Sequence, residues 1–145
     1  MYKSFTDHAM EVMGLANQEA LNSKCSHLGT EHILLGLISQ GSGIGARVLK
    51  DLGVEPQKVR HELEKLVKSE PEWTKTRSML PTTLLARKAI DYAIEETAEF
   101  NDESIDTEHL LLGLLREKES LAYLLLMNLG LRPEEVREKI RTMGR

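Results

Sequence analysis

Apolar residues recur at steps of three and four along almost the whole chain, and the steps fall into two matching sets. Phe5, Ala9, Val12, Met13, Ala16 and Ala20 draw one apolar stripe down a helix predicted over about 6–23. Ile33, Leu34, Leu37 and Ile38 mark a second helix that starts at Thr30. Thr30 suits an N-cap, because its hydroxyl accepts a bond from a free backbone N–H, and Glu31 then sits in the first turn, where the helix dipole favours negative charge. A third helix is predicted over about 44–52 from Ile44, Val48, Leu49 and Leu52, and Gly53 can take the left-handed conformation that ends it. Pro56 opens a fourth, since proline loses no hydrogen bond at the first helical position, and Val59, Leu63, Leu66 and Val67 carry the stripe to about Lys68. The same scheme returns over about 83–100, 107–117, 120–129 and 133–143. Strand signals are absent throughout.

The return is also literal. Thr30-Glu31-His32-Ile33-Leu34-Leu35-Gly36-Leu37 reappears as Thr107-Glu108-His109-Leu110-Leu111-Leu112-Gly113-Leu114, at an offset of 77 residues. Without a gap, the same offset matches Thr6 with Thr83, Ala9 with Ala86, Glu19 with Glu96, Leu52-Gly53 with Leu129-Gly130 and Val59-Arg60 with Val136-Arg137. Self-similarity at a fixed period means two copies of one structural unit. The expected fold is all-α, eight helices arranged as a tandem pseudo-twofold duplication of a four-helix repeat. The first repeat spans 1–68 and the second 82–145, together forming one globular domain. Between them, 69–81 lacks helical periodicity and contains two prolines, Pro71 and Pro81, so it reads as a linker. Glycine in a helix interior costs about 1 kcal/mol relative to alanine. Its presence at both Gly36 and Gly113 therefore points to close contact with a neighbouring helix.

Charge narrows the function. The net charge is −4, and the excess lies in the second copy: residues 1–77 carry ten basic and ten acidic side chains, residues 78–145 nine and thirteen. Nucleic-acid binding needs the opposite sign, because Lys and Arg contacts to phosphate supply most of its affinity, so no nucleic-acid role is expected. Cys25 is the only cysteine, and no basic-then-apolar leader opens the chain, which fits a reducing compartment such as the cytosol. The longest apolar stretches fall short of the roughly 20 residues that span a bilayer, so no membrane crossing is expected.

Several motifs suggest chemistry and fail on context. Gly41-Ser42-Gly43-Ile44-Gly45-Ala46 spells a dinucleotide-binding turn, but no strand precedes it and its counterpart around Ser120 has no glycine, so a helix–helix connection is the reading and no cofactor is expected. No phosphate-binding loop of the Walker type occurs, so this chain by itself is not an ATPase and no enzymatic site is expected. His32 and His109 each follow a glutamate. Adjacent helical residues point about 100° apart, so these pairs grip one ion badly; packing or hydrogen bonding is the expected role, with no metal site. Cys25 lies two residues from His27, but the matching position in the second copy is Asp102, which favours a plain free thiol. That leaves the repeated Thr-Glu at the start of the second helix in each copy. Two readings stay open there: plain capping, or a site in which free N–H groups hold an anion and the glutamate holds a guanidinium.

Phe5-Thr6, Gly29 through Leu37, and Gly41 through Leu49, followed by a Leu-Gly-Val turn, closely resemble the N-terminal repeat domain of Clp ATPases, and the ClpC branch most of all. The resemblance covers almost the full chain. It implies a module that receives substrate proteins and adaptor proteins for AAA+ rings, which unfold them and feed a ClpP-type peptidase. It also implies recognition of proteins marked by phosphorylated arginine, with Thr30, Glu31, Thr107, Glu108, Thr6 and Thr83 as ligand-binding positions. The compartment implied is bacterial cytoplasm or plastid stroma, and the isolated domain is expected to be monomeric. A free-standing accessory subunit, similar to the small Clp-N-like proteins of plastid Clp complexes, is the alternative; a Walker loop downstream of Arg145 would decide against it.

The second copy departs from the family pattern. Asp106 stands where the first copy has Gly29, and Lys118-Glu119-Ser120 replaces Gly41-Ser42-Gly43. An added carboxylate repels a phosphate and removes the close approach that glycine permits. The first site is therefore expected to bind phosphoarginine and the second to be weakened, or to serve a cationic peptide or adaptor.

Overall fold

A computed structural model describes residues 4–66 and 80–143. Its eight helices are α1 (Asp7–Asn22), α2 (Thr30–Gln40), α3 (Ile44–Asp51), α4 (Pro56–Leu66), α5 (Leu84–Glu99), α6 (Thr107–Arg116), α7 (Leu121–Asn128) and α8 (Pro133–Thr142). Each boundary falls within about two residues of the periodicity reading, apart from the end of α4, where the predicted 67–68 lie outside the described residues. The left-handed stops at Gly53 and Gly130, with φ of 84° and 89°, are present in both copies.

One core runs through both repeats. Ile33, Leu34, Leu37 and Leu49 of the first copy are fully buried together with Leu110, Leu111, Leu114, Leu125 and Leu126 of the second. Each such side chain contributes about 1.5–3 kcal/mol by leaving water. Within a repeat, the first helix packs closely on the second, and the second helix also meets the other repeat, as α3 does with α8 and α4 with α7. Gly36 makes the first contact possible: a Cβ there would lie 2.5 Å from the Val12 carbonyl oxygen and 3.0 Å from the Ala16 nitrogen. Gly113 faces the Ala89 carbonyl in the same way.

The repeats are also stitched by their leading segments, which cross over. Thr6 N–H donates to the Ile105 carbonyl at 2.9 Å and Ile105 N–H to Ser4, while Thr83 N–H donates to Leu28 at 2.9 Å and Leu28 N–H to Pro81. These are two isolated parallel bridges, Phe5 with Ile105 and Leu28 with Thr82, in a fold otherwise helical. The end of the predicted linker, Leu80 and Pro81, is thus part of the folded unit, and Leu80 N–H also donates to the Asn17 side chain. The rest of the linker, 69–79, lies outside the described residues.

The matched Glu and Arg positions form one device used twice. Arg60 of α4 grips Glu19 of α1 at 2.8 and 3.1 Å, and Arg137 of α8 grips Glu96 of α5 at 2.7 and 3.0 Å. Glu96 is buried and takes a further contact from Arg116 at 3.3 Å. Burial pushes its carboxyl up, but the hydrogen bonds and charge of Arg137, with the charge of Arg116, outweigh that and hold it below the ordinary carboxylate range. A carboxyl depressed in the folded state stabilises above its unfolded pKa, and that stability is lost as pH falls through the folded value. Glu96→Gln is therefore expected to lower stability by about 1–3 kcal/mol at neutral pH. The gap from the parent should close in acid, as read from urea midpoints at pH 7 and pH 3.

Candidate functional site

The repeated Thr-Glu does not begin its helix as the sequence suggests. Gly29 and Asp106 occupy the N-cap positions, and Thr30 and Thr107 are the first helical residues. The correction has a physical cause: the threonine hydroxyls are committed elsewhere. Thr107 Oγ1 accepts from Gly45 N–H at 2.9 Å, and Thr30 Oγ1 accepts from Ala122 N–H at 3.2 Å. Gly45 and Ala122 are equivalent positions in the first turns of α3 and α7. Each motif threonine therefore caps the third helix of the other repeat.

This exchange explains the glycine-rich segment. A Cβ at Gly43 would meet Thr107 Oγ1 at 2.5 Å, and one at Gly45 would meet the Thr107 carbonyl oxygen at 2.8 Å. The glycines that spell a nucleotide-binding turn are there to admit Thr107. In the second copy Ser120 stands at the Gly43 position and caps α7 with its own hydroxyl, accepting from Tyr123 N–H at 3.1 Å.

The helix start is capped by histidine. His32 Nδ1 accepts from Gly29 N–H at 2.9 Å, and His109 Nδ1 accepts from Asp106 N–H at 2.8 Å. This is a capping box in which a histidine, three residues on, takes the place of the usual glutamate. Both histidines are buried, in line with the packing and hydrogen-bonding role read from sequence. His109 Nε2 faces Asp102 Oδ2 at 2.8 Å. Asp102, Glu108 and His109 bring ligand atoms within 4.8 Å of one another, a grouping adjacent-residue geometry does not anticipate. Because Nδ1 is an acceptor here, the ring proton sits on Nε2 and points at Asp102. A metal ion at Nε2 would have to displace that proton and break the cap, so the donor set fits a hydrogen-bond relay better than a metal centre.

Crossing of the leading segments also sorts the predicted site residues in a way the sequence does not show. Thr6 belongs with the second motif, where its hydroxyl donates to Asp106 Oδ1 at 2.8 Å while accepting from Ala9 N–H. Thr83 is placed by its bond to Leu28 beside the first motif, next to Gly29. Each site is thus built from both repeats: Thr83 with Gly29, Thr30 and Glu31, and Thr6 with Asp106, Thr107 and Glu108.

The two sites differ in chemistry. At the second, a cavity of about 380 Å³ is lined by Thr6, Asp102, Glu103, Asp106, Glu108 and His109, with neither Lys nor Arg among the described residues that line it. Asp106 Oδ1 takes both the Thr6 hydroxyl and, at 2.7 Å, the Thr107 N–H. Glu108 is only 2% exposed. At the first site the positions of Asp102, Glu103 and Ser104 are Cys25, Ser26 and His27. Glu31 is partly exposed and folds back over Gly29, so close that a Cβ at Gly29 would meet its Oε1 at 2.5 Å. The Thr30 and Glu31 amides have no hydrogen-bond partner among the described residues, and the Thr83 hydroxyl accepts from Ala86 N–H while donating to no described residue.

The described residues thus form an all-α duplication with a composite candidate site at the start of each second helix. The chain belongs to the Clp repeat (R) N-terminal domain family, whose model matches residues 4–129 and 82–144. It is 38% identical over 140 residues to the negative regulator of genetic competence ClpC/MecB of Bacillus subtilis, covering 97% of this chain and 17% of that protein. It is 39% identical to the chloroplastic chaperone protein ClpC1 of Arabidopsis thaliana over 97% of this chain and 15% of that one. The chain thus spans about a sixth of the length of these relatives. Its fold matches the ClpV N-domain solved with a VipB peptide, with a TM-score of 0.76 at 15% identity, over 96% of this chain and 86% of that one. No helix among the described residues is long and apolar enough to cross a membrane.

Proposed function

We propose that this chain is the substrate- and adaptor-receiving module of a Clp-type AAA+ unfoldase feeding a ClpP-type peptidase, in bacterial cytoplasm or plastid stroma, and that its first site recognises phosphorylated arginine on marked proteins. Family membership supports the module role, as does a ClpV N-domain of the same fold that carries a peptide. The ATP chemistry belongs to the rings that the module serves.

One observation carries the ligand reading: the first site keeps unspent the groups that the second spends on itself. A phosphoryl group at the start of α2 would find the Thr30 and Glu31 amides and the Thr83 hydroxyl, with the helix dipole behind them. The guanidinium would meet the Glu31 carboxylate, a charge-assisted pair worth roughly twice a neutral hydrogen bond. At the second site Asp106 already takes the equivalent amide and hydroxyl, and three further carboxylates repel a phosphate.

Titration calorimetry with free phosphoarginine should give one occupied site per chain. Glu31→Ala is expected to weaken binding by about tenfold or more, since a lost charged hydrogen bond costs about 1.5–3 kcal/mol. Glu108→Gln, which keeps the shape of a buried side chain, should change it less than about twofold by the same arithmetic. Equal occupancy of both sites would sink the assignment.

A further inference from the structure

Few large apolar side chains among the described residues stand out in water, and two of them mark one place. Leu84 is 66% exposed and Leu124 46%. A single exposed leucine is ordinary; two that converge on one site are not. Leu84 is the first residue of α5 and directly follows Thr83, whose N–H bonds the Leu28 carbonyl next to Gly29. Leu124 lies one turn into α7, on the same face as Leu121, the first residue of that helix. Between them, Ala122 supplies the N–H that Thr30 Oγ1 accepts. Both helices therefore begin at the first site.

The duplication shows that the fold does not ask for leucine at these places. Their first-copy counterparts are Asp7 and Arg47, both exposed, on helices of the same lengths. Ile44, the counterpart of Leu121, lines the cavity of the second site, so one apolar residue at the mouth is common to both copies. The two outer positions carry a charge of each sign around the second site and leucines around the first. A polar helix start with an apolar rim matches a ligand whose charged head sits between apolar neighbours.

We infer that the first site reads more than the marked arginine: apolar residues on either side of it in the substrate chain dock on Leu84 and on the Leu121–Leu124 face of α7. The inference rests on the phosphoarginine reading, which seats the phosphoryl group at the start of α2. Consecutive residues of an extended chain are about 3.3 Å apart, so the neighbours of a residue held at Thr30 reach helix starts that are themselves bonded to Leu28 and Thr30. In a folded protein such apolar neighbours are mostly buried. The substrate class selected is thus a marked segment whose apolar side chains have left their own core, a coincidence of mark and unfolding.

The test uses two blocked pentapeptides with phosphoarginine at the centre and glycine at the ends, one flanked by leucines and the other by serines, titrated by calorimetry. The leucine peptide is expected to bind about tenfold more tightly, the gain of covering leucine surface on both partners. The double variant Leu84→Ser with Leu124→Gln, which adds no charge, should bind both peptides as the parent binds the serine peptide. Its affinity for free phosphoarginine and its thermal midpoint should match the parent's. Equal affinity of the parent for the two peptides would overturn this inference alone, whereas no binding of either would remove the phosphoarginine reading and this inference with it. A leucine gain that survives in the double variant would place the apolar contact elsewhere. A dimer in sedimentation velocity that the double variant dissolves would assign the leucines to a second copy of this chain and likewise overturn the proposal.

Discussion

Gly113→Ala is expected to be the most damaging single methyl that can be added to this domain. A Cβ at Gly113 would press on the Ala89 carbonyl oxygen, nearer than real Cβ atoms approach, and would lie 3.0 Å from the Ala93 nitrogen. Both are backbone atoms of α5, so no rotamer change relieves the contact, and the helix pair must separate. Overpacking of this kind costs about 1–3 kcal/mol, occasionally more. The damage reaches both copies, because α6 also packs on α1, α2 and α3. Gly36→Ala meets the same obstacle from Val12 and Ala16 and should cost a similar amount. Gly14→Ala is the control: it sits in α1 with nothing within 4 Å of the added carbon, so it should stabilise by about 0.5–1 kcal/mol as alanine replaces glycine in a helix. Urea denaturation of the three variants checks the order, and a Gly113→Ala midpoint equal to the parent's would refute the close-packing account.

Those glycines were legible because the sequence repeats them at a helically costly place, and the same logic exposed Glu19 with Glu96 and Arg60 with Arg137. Helix existence followed from the apolar stripes, since each helix buries one face on the shared core. What periodicity does not carry is which repeat a side chain serves. Thr30 and Thr107 look like local caps because a cap is defined by near neighbours, yet their hydroxyls cap helices 92 and 62 residues away in the chain. Likewise Thr6 and Thr83 look like partners of the motif in their own copy. The crossing of the leading segments, held by a few backbone bonds with no strand pattern, puts each with the other copy. His32 and His109 as capping acceptors were hidden for a related reason: the capping box is read from Glu or Gln at the third helical position. The acidic wall of the second site was visible in composition, but its convergence on one cavity depends on the loop before α6.

The Gly29 and Asp106 difference can be exchanged between copies, and Gly29→Asp is expected to abolish the first site without harming the fold. Gly29 has φ of −105°, a conformation open to any residue, and aspartate is a better N-cap than glycine by a few tenths of a kcal/mol. The added Cβ meets only the end of the Glu31 side chain, which is free to swing away. Stability should therefore hold or rise slightly. Binding should fall for three reasons that act together: Glu31 leaves the position where it meets a guanidinium, the new carboxylate accepts the Thr30 amide and the Thr83 hydroxyl as Asp106 does their equivalents, and its charge opposes the phosphate. Unit charges about 4 Å apart near a protein surface repel by about 4 kcal/mol before salt screening, so a loss of at least about a hundredfold in phosphoarginine affinity is expected. The reciprocal Asp106→Gly should release the Thr6 hydroxyl and the Thr107 amide, at a small cost in stability. It is expected to bring only weak phosphoarginine binding to the second site, because Asp102 and Glu103 remain in the wall. Calorimetry on the two variants and the double exchange separates these effects. Unchanged affinity in Gly29→Asp would place the ligand away from the start of α2 altogether.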